Sequence, residues 1–196
     1  MKTKQLHFIK VAIFALILSI FPVYVINAQS DKDKATAALK RGQEAANKKD
    51  YDLALKEFTE AIRLTNSMRM KSSSSETDRM LALTYSIRAS IYNMKDDYDH
   101  GIADCTESIK LDGSNEDTFN LRGRMYLEKE NWDLAIADFT QAIKINPKLT
   151  QAFFNRGNAY FFKGDTNRAI ADWEAVLKLE PNHAQAKRNI DIAKKQ

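Results

Sequence analysis

Apolar and small residues recur along the chain at intervals of three and four positions, separated by short polar stretches. Towards the C-terminal end, for example, Phe153, Gly157 and Tyr160 are spaced i, i+4 and i+7. This spacing places side chains on one face of an α-helix. A second stripe of the same spacing follows sixteen residues later, at Ala169, Trp173 and Val176. The pattern predicts two amphipathic helices joined by a short turn.

The two-helix pattern is repeated along the chain. A 15-residue segment of similar sequence begins at Asp50, Asp97 and Asn131, and a looser copy begins at Asp165. These Asp and Asn residues are suited to cap the second helix of each pair. A small residue precedes each copy, namely Gly42, Ala89, Gly123 and Gly157, at separations of 47, 34 and 34 residues. A period of 34 residues with two helical stretches predicts stacked helical hairpins.

The repeat divides the chain after residue 28 into consecutive parts. We predict a lead-in at residues 29–34 and four units at residues 35–68, 82–115, 116–149 and 150–183, with an insertion at residues 69–81. Residues 184–196 form a tail with an apolar stripe at Ala186, Ile190 and Ala193 and basic residues elsewhere. This composition predicts a helix that caps the last unit.

The third unit carries a set of small, aromatic and proline positions that is specific to one repeat family. These positions are Gly123, Tyr126, Ala135, Phe139, Ala142 and Pro147. In these residues the chain resembles the tetratricopeptide repeat (TPR) family, and the resemblance extends over residues 35–183. It implies an all-α fold, a right-handed α-solenoid of four TPR helix-turn-helix units plus a C-terminal capping helix. It also implies a concave groove lined mainly by the first helix of each unit.

The second unit departs from the family pattern. Gly101, Cys105 and Ser108 stand where the family usually has Ala, Phe and Ala. The first unit departs less, with Asn66 in place of the terminal proline and Ala45 in place of the tyrosine. We expect a more loosely packed second unit without a change of fold.

The insertion is compatible with a helix except at residues 72–75, which are four consecutive serines. We interpret this stretch as the turn of an elongated hairpin, with Ser75 and Asp78 forming a capping box for the next helix. Three methionines lie near this turn, at positions Met68, Met70 and Met80. They either form an adaptable apolar contact surface or pack on one another across the hairpin.

Residues 1–28 have the pattern of a secretory signal peptide. Lysines at the start are followed by an apolar run at residues 11–26, and Ala28 is a small residue at the expected cleavage point. The run of 16 residues is interrupted by Pro22, and it is shorter than the roughly 20 residues that span a bilayer. We therefore expect cleavage before Gln29 and an exported protein, either periplasmic or secreted. The alternative is an uncleaved anchor, which would be the chain's contact with a membrane.

Charge and composition narrow the function further. The net charge is +4, and three lysines in residues 1–28 account for +3, so the remainder has 27 basic and 26 acidic residues. A nearly neutral chain is not expected to bind nucleic acid. Cys105 is the single cysteine, which excludes an internal disulfide and a metal site of the paired-cysteine type.

The sequence also lacks the usual motifs of catalysis. After residue 28 the histidines are His100 and His183, both in polar surroundings near unit ends. Neither a glycine-rich phosphate loop nor a glycine-bracketed serine is present. We predict no cofactor, no metal and no enzymatic activity.

An arginine precedes the small residue in every unit, and an acidic residue follows each arginine after sixteen positions. The arginines are Arg41, Arg88, Arg122 and Arg156, and the acids are Glu57, Asp104, Asp138 and Asp172. Because charges near a core are usually paired, we interpret these residues as a ladder of ion pairs that fixes repeat stacking. The alternative is a row of arginines that binds a partner.

A candidate recognition surface lies one residue away from the core stripe of the last unit. Phe154, Asn158 and Phe161 share one helix face, about 100° from the core face. The equivalent positions are Arg124 in the third unit and Arg188, Ile192 and Lys195 in the tail. In the TPR family this face lines the groove, so the resemblance implies an apolar patch flanked by Arg124 and Arg188. The alternative is that the two rings pack against the tail helix.

Together these features predict a non-enzymatic scaffold that binds a partner protein or peptide in the concave groove outside the cytosol. Some TPR domains grip a terminal carboxylate, but here only Arg124, Asn155, Asn158 and Arg188 approximate such a clamp. The alternative function is a small-molecule or lipid carrier, an accessory subunit of an envelope complex. The sequence leaves the identity of the partner and the oligomeric state open.

Overall fold

The computed structural model describes residues 30–72 and 74–195, and the regular structure in these ranges is entirely α-helical. The predicted signal segment, residues 1–28, lies outside the described residues. The helices are α1 (residues 30–47), α2 (Tyr51–Lys71), α3 (Ser75–Met94), α4 (Tyr98–Leu111), α5 (Glu116–Glu128), α6 (Trp132–Ile145), α7 (Thr150–Phe162), α8 (Thr166–Leu179) and α9 (Ala184–Ala193). Among them, none combines the length and the apolar character needed to cross a membrane.

The helices form four successive hairpins followed by the single helix α9. Each helix from α2 onwards packs against the next one in sequence, so the hairpins stack in chain order. The first helices of neighbouring units also touch, α3 with α5 and α5 with α7, whereas the second helices contact one another at most weakly. The first helices are therefore closer together and form the concave side of an α-solenoid of helix-turn-helix repeats.

Glycine allows the two helices of a hairpin to approach closely. A Cβ atom added at Gly123 would lie 2.7 Å from Cε1 of Phe139, and one at Gly157 would lie 2.6 Å from Nε1 of Trp173. Gly42 has the same relation to Phe58, at 2.8 Å. A large ring on the second helix thus fills the space that the missing side chain leaves, and it is almost completely buried there.

In the second unit, different residues fill the space between the two helices. Ala89 takes the place of the glycine, and the small Cys105 takes the place of the ring. Met125 of the following unit packs against both, and its sulfur contacts Gly101. Gly101, Cys105 and Ser108 are all buried, and burial raises the pKa of the Cys105 thiol to about 12. The residues that led us to expect looser packing therefore lie in a filled core.

The hairpin turns follow one backbone pattern. Residues in the left-handed region, Lys49, Asp96, Glu130 and Gly164, immediately precede the cap of each second helix. The caps at Asp50, Asp97 and Asp165 accept a hydrogen bond from a backbone N–H three residues ahead. Asn131 is the N-cap of α6, as predicted, but its side chain makes no such bond. The backbone of this turn holds without it, because Ala135 N donates to Asn131 O at 3.0 Å.

The insertion lengthens the two helices that flank it. Helices α2 and α3 have 21 and 20 residues, compared with 13 or 14 in α4 to α8. The N-cap of α3 is Ser74, which accepts from Thr77 N, so the predicted cap at Ser75 was one residue late. Met70 is 90% exposed, whereas Met68 and Met80 are half-buried. Ion pairs join this extension to α1, with Lys71 Nζ 2.7 Å from Asp31 and Lys32 Nζ 2.8 Å from Glu76.

Replacing Gly123 with alanine should destabilise the protein. The added Cβ must displace the buried Phe139 ring, and overfilling a well-packed core costs about 1–3 kcal/mol. Gly113→Ala is the matched control, because its Cβ would meet no atom closer than Ile109 O at 3.5 Å. Urea unfolding measures both variants. Equal stability of the two would show that this helix contact does not require glycine.

Candidate functional site

The four arginines identified in the sequence lie in the hairpins beside their acidic partners. Arg41 Nε and Nη2 both meet one oxygen of Glu57, at 2.9 and 2.7 Å, whereas each of the other three arginines binds both oxygens of its aspartate. The paired distances are 2.7 Å for Arg88 and Asp104, and 2.8 Å for Arg122 and Asp138 and for Arg156 and Asp172. Bidentate pairs of this kind combine charge with fixed geometry. Since their guanidinium groups are already bound, these arginines are poorly placed to bind a partner.

The third guanidinium nitrogen reaches the preceding unit. Nη1 of Arg122 donates to Thr106 Oγ1 at 3.0 Å, across the boundary between the second and third units. Arg88 and Arg156 make the equivalent bonds to Thr59 and Thr140, at 2.8 and 3.0 Å. Sequence reasoning missed these threonines. The signal was present, because threonine stands two residues after the paired acid in each of the first three units.

Aromatic rings enclose the guanidinium groups. Cζ of Arg122 lies 5.9 Å from the centroids of both Phe119 and Tyr126. Such contacts add cation–π attraction to the ion pair. The hydrogen bonds to Asp138 raise the pKa of Arg122 above its usual value, although burial acts in the opposite direction. The rungs formed by Arg88, Arg122 and Arg156 therefore each combine a permanent charge with two hydrogen-bonded neighbours, an aspartate and a threonine, and a nearby aromatic ring.

Both predicted recognition rings pack partly against the C-terminal helices. The Phe154 ring centroid is 5.0 Å from that of His183, and the Phe161 centroid is 5.7 Å from that of Trp173. Phe154 and Phe161 border the core cluster that contains Ile190 of α9. The two rings are half-buried, so packing against the tail accounts for part of their surface and leaves part of it on the groove.

A pocket of about 220 Å³ opens between α7, α8 and α9. Its lining consists of Asn158, Phe161, Phe162, Trp173, Asn189 and Ile192. Asn158 Oδ1 accepts hydrogen bonds from Trp173 Nε1 and Asn189 Nδ2, both at 3.2 Å. Phe162 and Ile192 form the open rim, with 60% and 43% of their surface exposed. Sequence reasoning assigned Trp173 to the core alone and did not identify Asn189, because their closeness to Asn158 depends on how α9 docks.

Of the four residues that approximate a carboxylate clamp, Asn155 is engaged in contacts within the repeats. Asn155 is buried, donates to Asn120 Oδ1 at 3.1 Å and accepts from Gln151 at 2.9 Å. It therefore joins α7 to α5 instead of facing a ligand. Arg124 and Arg188 are exposed, and neither forms an ion pair within the described residues. In the same part of the chain, no three His, Cys, Asp or Glu side chains are grouped so that they could hold a metal ion.

Models of the tetratricopeptide repeat match the chain at residues 31–67 and 150–183, and a model described as a TPR repeat matches residues 123–164. The second TPR domain of human RPAP3 is 31% identical, and the chain covers all of that domain. The chain belongs to the TPR family. The matched regions include the Gly–ring contacts of the first, third and fourth units and the arginine rungs of the first and fourth.

Several solved structures resemble this TPR chain. The second domain of human RPAP3, in complex with the HSP70 peptide SGPTIEEVD, has a TM-score of 0.59 and covers 63% of this chain. The first TPR of Spaghetti (RPAP3), bound to the HSP90 peptide SRMEEVD, is 27% identical with a TM-score of 0.57, and 58% of this chain and 90% of that chain are covered. The TPR protein YrrB is 20% identical and has a TM-score of 0.69, with 87% of this chain and 81% of that chain covered. YrrB supports the fold alone.

Among curated proteins, the mitochondrial import receptor subunit TOM34 of Homo sapiens is similar to this TPR chain. The two are 28% identical over 90 residues, which is 46% of this chain. TOM34 of Pongo abelii matches to the same extent. The chain spans about a quarter of the length of these relatives.

Replacing Arg122 with alanine should lower the free energy of unfolding by about 3 kcal/mol. The Asp138 carboxylate, only 6% exposed, would remain buried without its partner, and breaking a buried pair costs at least this much. Arg124→Ala is the control on the same helix, and we expect a change within about 0.5 kcal/mol because the side chain is exposed. Thermal unfolding compares the two. Unchanged stability of Arg122→Ala together with lost partner binding would assign this arginine to recognition.

Proposed function

We propose that the protein is a non-enzymatic scaffold that binds a partner protein or peptide along its concave side, outside the cytosol. The observation that carries this proposal is that different positions on the first helices have different roles. Their glycines and arginines are used in hairpin packing, whereas the neighbouring positions remain partly exposed on the inner side. A preformed surface of this kind loses little conformational entropy when it binds.

The solved relatives support a peptide as the ligand. Two RPAP3 domains with at least 27% identity to this chain are bound to short peptides. The exposed groove positions of this chain include both apolar and basic side chains, for example Phe162 and Arg124. This combination suits a peptide that offers apolar and acidic groups.

The size of the pocket favours a peptide over a small-molecule cargo. Sites for drug-sized ligands enclose about 300–1,000 Å³. The pocket between α7, α8 and α9 has about 220 Å³ and is bordered by the exposed Phe162 and Ile192. Two larger hollows, of about 450 and 330 Å³, are lined mostly by charged and polar side chains, which do not suit an apolar cargo. We therefore place the carrier function behind peptide binding.

Photo-cross-linking in the native host tests the scaffold. A photoreactive amino acid at position 124, on the inner face of α5, should form cross-links to another protein. The same group at the exposed Lys144, on the second helix of the same unit, should not. Equal cross-linking from both positions, or cross-linking from position 144 alone, would contradict binding on the concave side.

The location outside the cytosol rests on the signal-like pattern of residues 1–28. We expect the mature protein to be recovered from the extracytoplasmic fraction with Gln29 as its first residue. Cell fractionation followed by mass spectrometry of the N-terminal peptide measures this directly. Recovery of an intact Met1 in the cytosolic fraction would contradict export.

A further inference from the structure

The pocket between α7, α8 and α9 has the size, polarity and surroundings of a receptor for a single side chain. We propose that it holds one bulky apolar side chain from an acidic, internal segment of the partner. This inference rests on the proposed peptide-binding function and adds to it the position of the anchor, the chemistry of the ligand and its internal place in the partner chain.

The apolar part of the pocket fits one large side chain. Trp173 and Phe161 form its inner wall, and Phe162 and Ile192 form its rim. An apolar cavity of about 150 Å³ is large enough to hold a benzene ring. The observed volume of about 220 Å³ therefore accommodates a leucine-sized or phenylalanine-sized group. Burial of such a group removes apolar surface on both partners from water, which is the main source of affinity.

The polar part of the pocket offers a hydrogen-bond donor to a peptide backbone. Asn158 Oδ1 is held by two donors, Trp173 Nε1 and Asn189 Nδ2, which fixes the orientation of its amide group. No hydrogen bond donated by its Nδ2 atom is present in the described part of the chain, and Asn158 lines the pocket. A peptide carbonyl beside the apolar anchor can accept from this nitrogen. The amide thus provides orientation while the rings provide affinity.

The charges around the rim select acidic neighbours of the anchor. Arg188 lies on α9 four residues before Ile192, and Lys195 follows Ile192 by three residues, two positions beyond the last residue of the helix. Both are exposed, and neither forms an ion pair within residues 30–72 and 74–195. Arg124 occupies the equivalent groove position one unit before Asn158. Acidic residues on both sides of the anchor would complement these cations and increase the association rate.

The ligand does not need to end at the pocket. A terminal carboxylate would require several donors to converge on it, but Asn155 is buried and bonded to Asn120 and Gln151. The rim cations Arg188 and Lys195 stand on either side of Ile192 in the sequence. The geometry therefore suits a segment that passes through, with a residue before and after the anchor.

Tryptophan fluorescence reports directly on this pocket. The chain has two tryptophans, of which Trp173 lines the pocket and Trp132 stacks on the rim residue Phe162 at 5.4 Å between centroids. The full chain is titrated with an acetylated and amidated peptide that has leucine at its centre and two glutamates on each side. Three comparison peptides carry central alanine, lysines in place of the glutamates, or a free carboxyl terminus.

We expect the leucine peptide to change the emission saturably and the alanine peptide to bind at least tenfold more weakly. The lysine peptide should also bind at least tenfold more weakly, and the free carboxyl terminus should change the affinity less than twofold. No response to the leucine peptide, or equal binding of the lysine peptide, would overturn the proposal. A strong requirement for the free carboxyl terminus would overturn the internal orientation.

Two variants test the assignment on the protein side. Ile192→Glu places a charge at the rim and should lower the affinity for the leucine peptide at least tenfold, whereas Leu53→Glu should leave this affinity unchanged. Leu53 is a matched control because it is 42% exposed, close to the 43% of Ile192, and lies on α2 at the other end of the solenoid. Circular dichroism verifies that both variants are folded. Equal effects of the two substitutions would reject the pocket.

A charge reversal tests the rim separately from the apolar wall. Arg188→Glu combined with Lys195→Glu should weaken the binding of the leucine peptide, which carries the glutamates, and strengthen the binding of the lysine peptide. The control pair, Lys40→Glu with Lys56→Glu, changes the net charge equally at exposed positions of the first unit. If position 124 cross-links to a partner but these pocket variants have no effect, the scaffold function stands and the pocket assignment is wrong. If the peptides bind as expected without cross-linking at position 124, the pocket stands and binding along the whole groove is wrong.

Discussion

The structure depends on the contacts that one arginine makes to two neighbouring hairpins. In the third unit, one guanidinium binds both oxygens of Asp138 in its own hairpin and the Thr106 hydroxyl in the hairpin before it. Arg122 and Asp138 are largely removed from water, with 16% and 8% of their side chains exposed. A buried charge is tolerated only when its hydrogen bonds are satisfied, so the distance and rotation between neighbouring hairpins are narrowly limited.

The arginine contacts change at both ends of the ladder, where the neighbouring hairpin or the threonine is missing from the described residues. Arg41 has no preceding hairpin among the described residues, and its side chain is 54% exposed, more than three times the value for Arg122. In the fourth unit Glu174 replaces the threonine, and in the tail the buried Ile190 stands where the next arginine would be. The polar rung thus gives way to an apolar contact with α9. This change of chemistry at the last boundary produces the pocket, because α9 brings Asn189 and Ile192 towards Asn158 and Phe161.

Much of the fold could be predicted from periodicity, because each hairpin forms from residues that are close in sequence. The sixteen-residue interval between Arg122 and Asp138 identified the rung, since antiparallel helices joined by a short turn bring such residues together. The position of the N-cap at Asn131 was predictable, but the absence of its side-chain bond was not, because its carbonyl accepts the same backbone bond as those of Asp50, Asp97 and Asp165. Asn158 was predicted to lie on the recognition surface, but its hydrogen bonds and the role of Asn189 escaped prediction, since they depend on the docking angle of α9 and not on any repeat.

A double-mutant cycle between Thr106 and Arg122 tests the central claim most directly. Thr106→Val removes the hydroxyl acceptor, and Arg122→Lys keeps the positive charge but loses the forked geometry. The free energies of unfolding of the wild type, both single variants and the double variant give the coupling between the two units. We predict that the cycle yields a coupling of about 0.5–1.5 kcal/mol, the range of one hydrogen bond that bridges two units. Additive effects, with no coupling, would contradict the claim that the arginine rung fixes the stacking of neighbouring hairpins.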